Sequence, residues 1–158
     1  MAKFEIRRAS PHALVSMGHY DSAAPRGTPL GAHASDAAAL SLAGAKTFLG
    51  FLRQDMTVAG PTTEQLAGVW PVDTPPPLKA GSYVDLEIAD EIDVEGADFI
   101  VQSGTGAITS GASVGAGLGL NAGKWRLVQS GDREFGVLTA QLTPEDEGNT
   151  RIRIEVKR

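Results

Sequence analysis

Polar and apolar residues alternate through the last run of the chain. Ile152, Ile154 and Val156 fall on one side, and Arg151, Arg153, Glu155 and Lys157 on the other. Successive side chains of a strand point to opposite faces, so this period of two predicts a half-buried antiparallel strand with one charged face. Trp125 and Leu127 alternate with Lys124 and Arg126 in the same way. Ser130-Gly131-Asp132 predicts a turn into a further strand over 134–142. Together the three predict a meander, whose apolar face must be covered by the rest of the chain.

Upstream, Val84, Leu86 and Ile88 alternate with Tyr83, Asp85 and Glu87, which predicts a strand over 82–89, and another is expected over 97–102. Two short apolar runs, 38–43 and 47–52, flank Gly44-Ala45-Lys46 and read as a hairpin. Helix is the competing reading for 37–42, because alanine favours it. Thr62 and Gln65 have the spacing of a capping box for one short helix reaching Ala67. Thr143 followed by Pro144 predicts a one-turn helix that Gly148 would end. The stretch 103–123 is almost entirely Gly, Ala, Ser and Thr, which predicts short strands and wide turns where backbones approach closely. These elements predict a mainly β chain: a small antiparallel β-barrel or sandwich with short helical turns.

The first 26 residues read differently. Phe4 and Ile6 alternate with Lys3, Glu5 and Arg7, the pattern of one edge strand, and then Pro11, Gly18, Pro25 and Gly27 interrupt small residues. Such a segment buries little on its own. Two readings stand: an extended N-terminal arm over 1–26 that adds a strand to a neighbour's sheet, or a frayed terminus. The β domain would then cover 27–158. A weak echo between about 27–90 and 97–158 fits two related β-subdomains, or chance in a chain rich in Gly and Ala. Trp70 lies in a loop with five prolines, and reads as a plug over a barrel mouth or as a contact residue.

Composition narrows the class further. The absence of cysteine excludes disulfides and thiolate metal sites. A net charge of −5 argues against attachment to nucleic acid by bulk electrostatics. No apolar run is long enough to span a membrane, and the N-terminus lacks the apolar core of a signal peptide, so a soluble, intracellular chain is expected. Charge is uneven: both ends are basic, while 85–98 holds seven acidic residues and no basic one. That contrast fits either a solvated acidic face or the packing of identical subunits.

Candidate chemistry is sparse. His12, His19 and His33 have neither metal-pair spacing nor an accompanying Glu or Cys nearby, so no metal site is expected. The Gly-rich stretches complete neither a dinucleotide fingerprint nor a phosphate loop. Ser103 and Ser130 sit in Ser-Gly turns without a nucleophile elbow. No catalytic residue and no cofactor is expected, and the chain reads as a non-enzyme.

Several segments resemble the lambda-like capsid decoration proteins of tailed bacteriophages. They are Gly27-Thr28-Pro29-Leu30, Leu40-Ser41-Leu42 and Lys46-Thr47-Phe48-Leu49-Gly50-Phe51-Leu52. The later stretch, Asp93 through Ile108, Gly123 to Asp132, Leu142-Thr143-Pro144-Glu145 and the terminal strand, resembles head decoration or cement proteins of tailed bacteriophages more generally. The resemblance implies a small β protein, usually a homotrimer, that binds the capsid exterior and bridges neighbouring major capsid protein subunits. It implies location in the virion, after synthesis in the host cytoplasm, with neither nucleic acid nor membrane as partner. It also implies capsid contact through the arm: Phe4 and Ile6 packing into the shell, Arg7 and Arg8 meeting acidic groups there. Trp70 is a further possible interface residue. The alternatives are another phage subunit, such as a tail tube or head fibre, and a β-barrel carbohydrate-binding module using Trp70, Trp125 and Tyr83.

Overall fold

The computed structural model describes residues 3–10, 18–68 and 76–157. In chain order the strands are β1 (Lys3–Ala9), β2 (Gly18–His19), β3 (Pro29–Ala32), β4 (Leu40–Leu42), β5 (Gly50–Leu52), β6 (Met56–Thr57) and β7 (Leu78–Lys79). They continue with β8 (Tyr83–Val84), β9 (Leu86–Glu87), β10 (Ala89–Glu95), β11 (Gly117–Asn121), β12 (Lys124–Leu127), β13 (Gly136–Leu142) and β14 (Arg151–Val156). A short helix, α1 (Thr63–Leu66), lies between β6 and β7 and is the one helix among the described residues. The molecule is therefore mainly β.

Six strands form one antiparallel sheet in the order β1-β10-β14-β13-β11-β12, and four form a second in the order β4-β3-β5-β9. The larger sheet ends at β1 and β12 and does not close into a barrel, so the arrangement is sandwich-like. Alternation along β5 ties the layers together. Phe51 joins the large core with Ile92, Val94, Trp125, Leu138, Ile152 and Ile154. Its neighbour Leu52 points the opposite way, into a smaller cluster with Tyr20, Leu30, Met56 and Leu86. The terminal strand behaves as its pattern predicts: Ile152, Ile154 and Val156 are buried, while the residues between them face outward.

Several connections differ from the sequence reading. The expected meander is interrupted, because β11 lies between β13 and β12. Leu118 and Leu120 of β11 are fully buried, so the Gly-rich stretch contributes apolar face as well as turns. The hairpin at Gly44 makes its turn, with Gly44 N–H donating to the Thr47 carbonyl at 3.1 Å, yet β4 and β5 do not pair. Instead β3 lies between them, and Gly31 permits the approach: a Cβ there would lie 2.7 Å from the Thr47 carbonyl oxygen. The alternation at 82–89 is divided among three partners, with β8 pairing β2, β9 pairing β5, and Ala89 opening β10. Over 97–102 there is no strand; a turn after Gly96 buries Phe99 and Ile100, and Ile100 makes a single bridge to Trp125.

The capping box of α1 forms as expected. Gln65 N–H donates to the Thr62 hydroxyl at 3.2 Å, and Thr62 N–H donates to Gln65 Oε1 at 2.6 Å. The helix start expected at Thr143 does not form. Glu145 and Asp146 donate their backbone N–H groups to Glu95 Oε1, at 2.9 Å each, and that loop is anchored to β10 instead.

Candidate interaction surface

Strand β1 carries all four arm residues named from the sequence, and it is not a separate arm. It pairs along its length with β10 of the same chain, matching Phe4 with Val94 and Ile6 with Ile92. Beyond β10, Val94 and Ile92 face Ile152 and Ile154 of β14, so one face of three strands is continuously apolar. Phe4 is held there by rings: its centroid lies 5.3 Å from Phe51 and 6.1 Å from Phe99. The Arg26 guanidinium also lies over this ring, 5.8 Å from its centroid. These ring contacts add to the backbone ladder that holds β1 on its own sheet, which composition alone could not reveal.

The same register builds a charged lattice on the opposite face. Lys3, Glu95 and Arg151 form one row across the three strands, and Glu5, Asp93 and Arg153 form the next. Arg153 grips Asp93 with two parallel bonds, 2.8 and 3.1 Å long, the fork geometry that suits guanidinium and carboxylate. Asp93 holds the Arg153 proton more tightly than usual, first by that hydrogen bond and then by its charge. Arg7 leans on Glu5 at 3.2 Å and on Asp93 at 3.9 Å. Lys3 Nζ sits 2.8 Å from Glu145 and 3.3 Å from Asp146, and their bonds and charges raise its pKa above the ordinary lysine value.

Glu95 is the buried centre of this lattice, with none of its side chain exposed. Burial pushes its carboxyl up. The Asp146 and Glu145 backbone N–H groups outweigh that, helped by Lys3 and Asn149, and hold the pKa below the ordinary glutamate value. The acidic run and the basic ends thus meet within one chain through Lys3, Arg151 and Arg153. Opposite charge at the ends and the middle was the available signal, and cross-strand register supplies its meaning.

Among the described residues, the outer edge of β1 has no strand beside it. Gly96 N–H donates to the Thr150 carbonyl at 3.1 Å, which fixes the parity of β10: residues 92, 94 and 96 bond β14, while 93 and 95 turn their backbone groups to β1. Lys3 and Glu5 therefore carry the pairing to β10, and the N–H and C=O groups of Phe4 and Ile6 point away from the sheet. Among the described residues nothing accepts or donates to them. The opposite end of the sheet is covered, since Trp125 N–H donates to the Phe99 carbonyl at 2.8 Å and Leu127 N–H to that of Gly106 at 2.8 Å. Arg8 projects from β1 into solvent with no carboxylate partner among the described residues.

The remaining candidates are scattered. Trp70 and His12 lie outside the described residues. Trp125 is fully buried and cannot contact a sugar ring, whereas Tyr83 is exposed and packs edge-on against His19. His19 bonds Asp21 at 2.7 Å, and His33 Nδ1 accepts the Ser35 and Asp36 N–H groups at 3.2 Å each. Among the described residues no three His, Asp or Glu side chains group as a metal site, and no helix is long and apolar enough to cross a membrane. Compared with family models, curated proteins and solved structures, the chain finds no match in any of the three.

Proposed function

We propose that this chain is a structural protein of a tailed-phage head, binding the capsid exterior and bridging major capsid protein subunits. The observation that carries the reading is the outer edge of β1, unpaired among the described residues, with the backbone groups of Phe4 and Ile6 turned outward and Arg8 beside them without a described carboxylate partner. An extended capsid segment adding at this edge would gain a ladder of backbone bonds, and Arg8 would meet its acidic groups. Phe4 and Ile6 pack their side chains on this chain's own core, so in this reading they offer backbone, and selectivity rests on charge. Self-association as a trimer, implied by the resemblance, would repeat the edge and multiply weak contacts by avidity.

Co-sedimentation with expanded heads, assembled from the major capsid protein of the same genome, tests this. Proline at position 6 removes an N–H that faces away from β10, so it blocks strand addition while leaving the internal ladder. The wild-type chain should pellet with heads, and folded Ile6→Pro should stay in the supernatant. Equal pelleting would exclude the edge, and failure of the wild-type chain to pellet would end the capsid reading.

A further inference from the structure

Between the two larger sheets lies a cleft of about 350 Å³ that the capsid reading does not use. It falls in the size range of sites for small organic ligands. Its wall is apolar: Phe48, Phe51, Ile88 and Phe135 line it, with the Phe48 ring 5.2 Å from Phe51 and 5.5 Å from Phe135. Two cations, Arg133 and Lys157, join the lining. Lys157 is already bonded to Glu134 at 2.5 Å. Arg133 has no carboxylate among the described residues, and its guanidinium lies 5.5 Å from the centroid of the Phe135 ring.

An uncompensated guanidinium beside an aromatic-lined cleft matches one kind of molecule: an apolar body ending in an anion. A neutral hydrocarbon would fill the space and leave Arg133 unused. A small hydrophilic anion would use Arg133 and leave the rings wet. We propose that the cleft binds a long-chain carboxylate, with its hydrocarbon tail among Phe48, Phe51, Ile88 and Phe135 and its head group on Arg133.

Calorimetric titration with decanoate, kept below its micelle concentration, tests this, with decanol as the neutral comparison. Decanoate should bind at one saturable site and decanol more weakly. Arg133→Gln changes an exposed side chain and should weaken decanoate about tenfold, the loss of one charge-assisted bond, while leaving decanol unchanged. Ile88→Trp, confirmed folded by circular dichroism, should fill the cleft and abolish binding of both. Absence of binding at millimolar decanoate, equal affinity for decanol, or unaltered binding by Arg133→Gln would each overturn the assignment.

Discussion

The ring of Phe4 rests directly on Gly27, so closely that a Cβ at position 27 would overlap it. Gly27 also adopts φ +90°, a backbone state that other residues enter at a cost. Gly27→Ala should therefore destabilise the fold by about 2 kcal/mol or more, adding strain to the displaced ring. Phe4→Ala in the same chain should remove part of that cost. Urea unfolding of both single variants and the double variant measures the coupling; strict additivity would deny the contact.

The β11–β12 hairpin turns on two residues, Ala122 and Gly123, both with positive φ, at 49° and 75°. This is the turn whose twist suits antiparallel strands, and it favours Asn-Gly over Ala-Gly. Position 122 is exposed, so its side chain packs on nothing that the change would lose. Ala122→Asn should stabilise the protein by about 1 kcal/mol, read as a higher urea midpoint with unchanged slope. A lower midpoint would contradict the turn assignment.

Acid should weaken the fold through Glu95 and Asp132. Both carboxyl groups are held below their ordinary values, Glu95 by the bonds that overcome its burial and Asp132 first by the Arg126 side chain. A lowered folded pKa stabilises the protein above the unfolded value, about 4 for either group, and that contribution is lost as pH falls through the folded pKa. Glu95→Gln should cost about 2–3 kcal/mol at neutral pH and flatten the acid limb of a stability–pH curve. An unchanged acid limb would exclude Glu95 as its source.

His19 works in the opposite direction. Its bond to Asp21, opposed by desolvation and aided by the nearby Asp36 carboxylate 3.6 Å away, raises its pKa. A raised folded value gives stability that is complete below the unfolded pKa of about 6.5 and is lost as pH rises through the folded pKa. Thermal melts should show a small decline between about pH 6 and 8 that His19→Gln removes. A decline that persists in His19→Gln would assign it elsewhere.

How much of this was legible depended on the distance over which each feature is decided. The alternation of Ile152, Ile154 and Val156 and the Thr62–Gln65 box are settled within a few residues, and both appear as read. Strand order is settled by partners far away. The insertion of β3 between β4 and β5, and of β11 between β13 and β12, leaves no local trace beyond small residues at close approaches. Strand β1 shows the same divide: its pattern identified an edge strand, but only register shows that Phe4 and Glu95 attach it to its own sheet. The charge contrast was visible too, though not that Asp93 and Arg153 answer each other across one strand pair.

Amide hydrogen exchange along β1, with and without expanded heads, tests the open edge most directly. In the free protein the Glu5 amide, turned to β10, should be protected, and the Ile6 amide, turned outward, should exchange quickly. Adding heads should slow Ile6 and leave Glu5 as it was. Fast exchange at Glu5 in the free chain, or at Ile6 in the presence of saturating heads, would contradict the account.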